Sequence, residues 1–138
     1  MSVYLIVSAV ALLFCALLGL GSLLSPGWAA GVVRLQADPD PERPGGFSEF
    51  RATYGGLLLM LHATALIVLV QPELGLDYKV FTIFPLAAAW FGAGLGRTAS
   101  LLLDQSTNRA PGLIPVWIPL ELVLGLAIGA PILQLGAG

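Results

Sequence analysis

The chain has 138 residues, of which 57% are hydrophobic and only 10% are charged. Soluble globular domains carry about a quarter charged residues, so this composition excludes an ordinary soluble protein. The net charge is −2 and the six Lys and Arg residues form no run, which excludes a nucleic-acid-binding protein. We therefore expect a single integral membrane domain over residues 1–138.

Four apolar segments are long enough to cross a bilayer as helices. The hydrocarbon core is about 30 Å thick and needs about 20 residues of helix. The segments lie at about residues 3–24, 50–70, 79–103 and 113–133. They are too long for strands and lack an alternating pattern. The sequence therefore predicts an all-α fold, a transmembrane four-helix bundle.

The first segment contains no charged residue. A cleaved signal peptide has a basic start and a shorter apolar stretch, whereas residues 1–4 contain no Lys or Arg. We therefore expect a retained spanning helix. Cys15, the only cysteine, lies in this segment. An intrachain disulfide and a cysteine-based metal site are thus excluded, and Cys15 is interpreted as a small apolar side chain.

The connection at residues 25–48 is the only long one, and its two parts differ in composition. Residues 26–33 are apolar and include Trp28, a residue typical of the headgroup level. They predict a short helix lying at the membrane interface. Residues 38–46 are rich in proline and charge, which favours an extended, solvated linker.

The other two connections, at residues 71–78 and 104–112, are short. Short connections place consecutive helices beside each other and antiparallel. Four crossings then put residues 25–48 and 104–112 on one side of the membrane, with both termini and residues 71–78 on the other.

The basic residues are distributed unequally between these two sides. Lys79 and the amino terminus are the only basic groups on the side of the termini. The other side has four arginines in or beside its loops, namely Arg34, Arg43, Arg51 and Arg109. The positive-inside rule therefore predicts that the loops at 25–48 and 104–112 are cytoplasmic and that both termini are outside.

The third and fourth segments each contain a single charge in their apolar interior, Arg97 and Glu121. Arg97 precedes Asp104 by seven residues, which places it about 10 Å inside that end of its helix. Glu121 follows Gly112 by nine residues, which places it about 13 Å from the same side. Charged residues within a span usually face a partner, so the sequence predicts an Arg97–Glu121 ion pair.

The start of the second segment carries further polar side chains near this level. Ser48 is the expected N-cap, and Glu49 in the first turn suits the positive end of the helix dipole. We predict one buried polar cluster made of Glu49, Arg51, Tyr54, Arg97 and Glu121.

Two further residues, His62 and Asp104, are possible additional members of this cluster. In an α-helix, Arg51, Gly55 and His62 would lie near one face. A hydrogen bond to a neighbouring helix is nevertheless the favoured role for His62. One histidine without a nearby carboxylate does not complete a metal site. The sequence indicates neither a metal nor a cofactor.

Glycines recur four residues apart in the last two segments, as Gly92 with Gly96 and Gly125 with Gly129. Such pairs allow helix backbones to approach closely in lipid. The spacing is compatible with contacts between helices of one chain and with contacts between helices of two chains.

The sequence EFRATYGG at residues 49–56 resembles the signature of a family of small, four-helix bacterial membrane proteins catalogued as a domain of unknown function. Residues 97–100 (RTAS) and 121–125 (ELVLG) are similar to the third and fourth helices of that family. The resemblance covers nearly the whole chain. It implies the fold and a location in the bacterial plasma membrane, and it implies no activity.

Three functions remain open. The favoured one is a non-enzymatic component that binds membrane lipids or a membrane partner protein, either as a single chain or as a homo-oligomer. The second is an enzyme acting on a lipid or isoprenoid, with Glu121 or His62 as acid–base and Arg51 and Arg97 holding an anionic group. The third is an oligomeric proton-coupled carrier that uses Glu121. The ion pair itself either forms a polar pocket or only fixes the helix register.

Overall fold

The computed structural model describes residues 1–35, 40, 42, 46–105 and 114–135. Within these ranges the chain forms five helices and no strand, which confirms the all-α class. Their bounds are α1 Val3–Leu24, α2 Pro26–Val33, α3 Phe47–Val70, α4 Leu76–Leu103 and α5 Ile114–Gln134.

The four long helices, α1, α3, α4 and α5, have 22, 24, 28 and 21 residues and are apolar enough to cross a membrane. Helices α3 and α4 each begin three residues before the predicted start. Their outward side chains are large and apolar: Phe81 is 78% exposed and Leu102 is 80% exposed. Such a surface suits lipid, and the four predicted spans are confirmed as helices.

Several predicted features lie wholly or mainly outside the described residues. They include most of the linker at 38–46, most of the connection at 104–112, and the arginines Arg43 and Arg109. The sidedness of the membrane therefore stays a prediction.

The chain divides into two compact units, Leu12–Leu66 and the combination of Met1–Ala11 with Ile67–Gly138. The assignment of a single domain stays a prediction.

In the unit Leu12–Leu66, helices α1 and α3 approach each other through glycine. A Cβ added at Gly19 would lie 2.4 Å from the backbone nitrogen of Leu59, and one added at Gly55 would lie 2.8 Å from the Cα of Leu23. Each helix thus presents a glycine to the other helix's backbone. Only residues without a side chain permit this distance.

Helix α2 follows α1 directly, as predicted for the short helix in the first connection. Pro26 lies in its first turn, and the helix ends at Arg34, whose φ of 57° is left-handed. Ala29 and Ala30 are buried and pack with Phe50 of α3. This packing attaches α2 to the start of α3; the interfacial location of α2 stays a prediction.

The start of α3 differs from the prediction, because Ser48 is not the N-cap. The residue before the helix is Gly46, whose φ of 114° suits glycine. Glu49 Oε2 accepts a hydrogen bond from Gly46 N at 2.8 Å and another from Ser48 Oγ at 2.7 Å. The Glu49 carboxylate therefore satisfies the backbone N–H of Gly46, the residue that precedes the helix.

Residues Phe50–Leu57 of α3 form a π-helix between α-helical stretches. A π-helix has i→i+5 hydrogen bonds and therefore more residues per turn than an α-helix. The eleven-residue spacing from Arg51 to His62 consequently does not have the α-helical phase that we assumed. This π-helix contains seven of the eight residues of EFRATYGG, the sequence on which the family resemblance rests.

In the other unit, α4 and α5 are packed antiparallel. A Cβ added at Gly94 would lie 3.1 Å from the side chain of Leu122, and one at Gly129 would lie 3.3 Å from Ala87 Cβ. Later residues of α5 therefore contact earlier residues of α4, as expected of antiparallel helices. Pro119 of α5 and Pro85 of α4 lie inside these helices.

The first turns of α1 are hydrogen-bonded to α5 within the same unit. Ser8 Oγ donates to the carbonyl oxygen of Ile128 at 2.8 Å, and Ser8 is fully buried. Ser2 Oγ donates to Gln134 Oε1 at 3.0 Å. Buried hydroxyls in lipid need such partners, so these contacts fix the first turns of α1 against α5.

The two glycine pairs have different surroundings. A Cβ added at Gly125 would lie 2.8 Å from the Phe91 ring, so Gly125, like Gly129, serves packing within this chain. A Cβ added at Gly92 or Gly96 would meet no heavy atom of the described residues within 4 Å. The pair Gly92 and Gly96 therefore leaves open space beside α4.

Candidate functional site

The interior charges of α4 and α5 form an ion pair. Arg97 Nε donates to Glu121 Oε1 at 2.7 Å. The Glu121 side chain is 6% exposed and the Arg97 side chain is 37% exposed. The predicted pair is therefore confirmed, and it joins a buried acid to a half-exposed base.

Helix packing places Glu121 next to Gly94 of α4. A Cβ added at Gly94 would lie 3.1 Å from Leu122 and 3.7 Å from Glu121 Cβ. The missing side chain lets α5 come close enough for the short Glu121 side chain to reach Arg97. Thr98 turns its hydroxyl to its own helix, donating to the Gly94 carbonyl oxygen at 2.8 Å.

Only one oxygen of Glu121 is used in this pair. Oε2 is buried and accepts no hydrogen bond from any residue that the structure describes. A buried carboxylate oxygen without a donor is costly. The second oxygen therefore has an unused capacity to accept a hydrogen bond.

Arg97 likewise uses only part of its hydrogen-bonding capacity. The guanidinium has five N–H donors, and among the described residues only Nε has a hydrogen-bond partner, which is Glu121. Arg97 Cζ lies 5.9 Å from the ring centroid of Trp117, within reach of a cation–π interaction. The acid and the indole thus hold the guanidinium while its two Nη groups remain available.

Arg97 lies toward the carboxyl end of α4, and the length of this helix can be compared with the thickness of a bilayer. Helix α4 has 28 residues, about 42 Å at 1.5 Å per residue, which matches the bilayer including its headgroup regions. Arg97 lies six residues before Leu103, the end of the helix, or about 9 Å. A long arginine side chain extends toward the interface from such a position, so the guanidinium is suited to the level of lipid phosphates.

Arg51 lies in the other unit and has a local role. It is exposed, and its Nε donates to the carbonyl oxygen of Leu23 at 3.3 Å. Leu23 is the penultimate residue of α1, where carbonyl groups lack helical partners. Arg51 therefore satisfies the end of α1, an arrangement that also suits the helix dipole.

The burial predicted for the second-segment residues differs from the structure. Glu49 and Arg51 are exposed, and Tyr54 is 36% exposed. The Tyr54 ring stacks on Phe50, with ring centroids 5.4 Å apart. These residues lie within the first two turns of α3, where a helix end leaves its side chains accessible, and they form no buried cluster within their unit.

The two possible additional residues have local partners. His62 is 2% exposed and its Nδ1 lies 2.7 Å from the carbonyl oxygen of Leu58, one turn earlier on α3. Asp104 is exposed at the end of α4, where its Oδ2 accepts a hydrogen bond from Ser100 Oγ at 2.6 Å. Asp104 is thus tied to its own helix end.

Sequence reasoning did not identify Trp117 as a member of the site. A usable signal was present, because Trp117 precedes Glu121 by four residues and so shares its helix face. The role of Gly94 had no sequence signal, since seventeen glycines occur in the chain and packing alone distinguishes them.

Comparison with known families agrees with the membrane architecture. A family model described as a domain of unknown function, DUF4345, matches residues 3–130. The chain belongs to this family. The DUF4345 match contains Trp117, Glu121 and Arg97, and its description names no reaction or ligand. No curated protein and no solved structure matches the chain significantly.

Proposed function

We propose that this DUF4345 protein is a non-enzymatic component of a bacterial plasma membrane that binds an anionic lipid headgroup at Arg97. The observation that carries the proposal is the Arg97 guanidinium, whose Nε is held by buried Glu121 at 2.7 Å while its Nη groups have no hydrogen-bond partner among the described residues.

The chemistry of the site suits a phosphate group. A guanidinium presents parallel N–H donors that match phosphate oxygens in a bidentate arrangement. Its contacts with Glu121 and Trp117 restrict the side chain before a ligand arrives, which lowers the entropy lost on binding. Because Glu121 neutralises much of the charge, we expect moderate affinity and a preference for headgroups that carry a full negative charge.

The proposed orientation follows from the basic residues. Four crossings place the Arg97 end of α4 on the same side as Arg34 and Arg51. The positive-inside rule assigns that side to the cytoplasm, where anionic lipids attract cationic groups. Both termini would then be outside.

Glu121 Oε2 favours a second candidate. A buried carboxylate oxygen without a donor can exchange a proton, as required of an acid–base group in an enzyme acting on a lipid or isoprenoid. The same group could be the proton site of an oligomeric carrier. Proton uptake that disappears in Glu121→Gln while lipid retention is unchanged would support this candidate over headgroup binding.

The test is retention of defined lipids by the purified protein, measured by native mass spectrometry. The protein is offered phosphatidylglycerol and phosphatidylcholine with identical acyl chains. We expect a preference for phosphatidylglycerol that falls about tenfold in Arg97→Gln, a change of about 1.4 kcal/mol. An unchanged preference would contradict the proposal.

Two variants make that result interpretable. Arg97→Gln with Glu121→Gln removes both charges and so avoids an unpaired buried acid; we expect it to lose the preference as well. Arg51→Gln removes an exposed arginine in the other unit, and we expect it to retain the preference. A loss of equal size in Arg51→Gln would show a general effect of positive charge.

A further inference from the structure

Lys79, the only lysine of the chain, is a buried cation that the proposed function does not use. It is the fourth residue of α4 and is only 8% exposed. Ile83 and Leu86 follow it by four and seven residues, which places the three side chains on one face of the helix. Ile83 and Leu86 are also buried. Protein therefore covers this face, and the lysine stem lies within it.

The Lys79 ammonium has no hydrogen bond and no ion pair with any residue that the structure describes. The nearest acids along the chain, Glu73 and Asp77, are both exposed. Among the described side chains, the only fully buried polar atom that lacks a partner is Glu121 Oε2, so Lys79 Nζ reaches the surface. A covered stem thus presents a charged tip with three unused N–H donors.

The beginning of α4 adds further donors at the same place. The first N–H groups of a helix have no partner within that helix, and the N-cap residue Gly75 provides no side-chain cap. Side chains of a helix tilt toward its amino end, so Lys79 extends back along the first turn. A cation is unfavourable at the positive end of the helix dipole. A bound anion would offset both positive groups.

The depth of Lys79 is that of lipid phosphates. Lys79 follows Leu76, the start of α4, by three residues, or about 4.5 Å along the helix. Lys79 and Arg97 are eighteen residues apart, or about 27 Å, close to the hydrocarbon thickness of about 30 Å. When α4 crosses a bilayer, the two cations therefore correspond to the headgroup levels of opposite leaflets.

We propose that Lys79 and the first turn of α4 bind one phosphate group, in the leaflet opposite to Arg97. Helix N-termini and lysine ammonium groups both bind phosphate, and here they coincide. Two sources share this chemistry, the phosphodiester of an anionic phospholipid and free inorganic phosphate. The depth of Lys79 favours the lipid. This second site does not depend on the proposed function of Arg97.

Binding at Lys79 is expected to be weaker than binding at Arg97. One ammonium lacks the paired donors of a guanidinium, and the Asp77 carboxylate in the same turn offsets part of its charge. We expect this site to fill at about tenfold higher lipid concentration than Arg97. At low lipid concentration, Arg97 therefore sets the headgroup preference of the protein.

The single lysine allows a measurement that reports on this site alone. Acetylation by an uncharged ester, located by peptide mass spectrometry, has one lysine target in the chain. The control is Lys79→Gln combined with Tyr78→Lys, because Tyr78 is the preceding residue and is 69% exposed. The control keeps the charge and the approximate depth and moves the amine to an uncovered face.

The rate of acetylation is measured in alkyl-maltoside micelles, which contain no phosphate. Phosphatidylglycerol, phosphatidylcholine or inorganic phosphate is then added. We expect phosphatidylglycerol to slow acetylation of Lys79 about tenfold, since a bound phosphate covers the amine. We expect less protection by phosphatidylcholine, whose own cation competes for the phosphate. The relocated amine of the control is expected to react at one rate throughout.

Each other result has a defined meaning. Equal rates for Lys79 with and without every additive would overturn the site, and so would equal protection of the relocated amine, which shows a general effect of negative charge. A Lys79 that never reacts is closed to solutes, which also contradicts the proposal. Protection by inorganic phosphate without protection by lipid would assign the site to free phosphate.

The Arg97→Gln protein separates this proposal from the proposed function. We expect Lys79 to be protected in that variant as in the unchanged protein, whatever happens to the headgroup preference. Loss of protection at Lys79 in Arg97→Gln would show that the two cations do not form independent sites, and would overturn the second site.

Discussion

At the scale of single residues, the decisive feature is the unequal environment of the two charges. Glu121 is buried between helices, whereas the Arg97 side chain is 37% exposed. Removing one partner of a buried ion pair leaves an uncompensated charge, which costs more than the pair itself contributes. The pair is therefore expected to affect stability and, through the Nη groups of Arg97, lipid binding.

We expect Arg97→Ala and Glu121→Ala each to destabilise the protein by about 2 kcal/mol, below the usual cost for a fully buried pair because Arg97 is partly exposed. Reversing the two charges, Arg97→Glu with Glu121→Arg, should restore part of the loss. Reversible unfolding in detergent would measure these changes.

Arg51→Ala is the control for that series. Its hydrogen bond to Leu23 is exposed, so we expect a loss of about 0.5 kcal/mol. If the charge reversal is as damaging as the two single variants combined, the stabilising role of the pair is contradicted.

At the scale of helices, α1 and α3 come into contact where a glycine of one helix lies against the backbone of the other. Helices α1 and α3 touch through Gly19 and Gly55, each beside a leucine of the other helix. The π-helix Phe50–Leu57 contains Gly55. The change in helical phase therefore occurs in the segment that carries one of the two α1–α3 backbone contacts, and π-helical turns are frequent at functional sites.

Adjacent glycines in this segment give a sharp test. A Cβ at Gly55 would lie 2.8 Å from the Leu23 backbone, whereas one at Gly56 would lie 3.6 Å from the Arg51 carbonyl oxygen, an ordinary contact. We expect Gly55→Ala to destabilise the protein by about 1–3 kcal/mol through overpacking. Gly56→Ala should be neutral or slightly stabilising, because alanine favours helix.

Detergent unfolding of both variants would measure the difference. Equal stability of the Gly55→Ala and Gly56→Ala proteins would show that α1 and α3 are not in backbone contact.

At the scale of the whole molecule, the distribution of basic residues predicts the direction in which the chain crosses the membrane. The positive-inside rule places Arg34 and Arg51 at the cytoplasmic surface. The same rule predicts that the connection between α3 and α4, at residues 71–75, lies with the termini on the opposite surface. This sidedness decides which leaflet supplies the lipid proposed for Arg97.

Cysteine labelling in intact cells tests the orientation. In a Cys15→Ala background, Glu73→Cys lies in the exposed turn between α3 and α4, and Leu35→Cys lies after α2, where Leu35 is 52% exposed. A membrane-impermeant thiol reagent should label Glu73→Cys in intact cells and Leu35→Cys only after lysis. The reverse pattern would contradict the orientation.

The sequence by itself determined the class of protein, the number and approximate ends of the long helices, and the Arg97–Glu121 pair. These properties depend only on positions along the chain. The length of a span follows from its number of apolar residues, and the depth of a charged residue follows from its distance to the helix end at 1.5 Å per residue. Two interior charges at similar depth on consecutive helices therefore had one natural partner each.

Only the tertiary structure decided which faces meet. In lipid the outward and inward faces of a helix are both apolar, so hydropathy does not reveal the rotation of a helix about its axis. For this reason the sequence did not show that Gly55 approaches α1, that Gly94 admits Glu121, or that open space lies beside α4. The π-helix shifted the phase of α3, and the position of Glu49, Arg51 and Tyr54 near a helix end made them exposed.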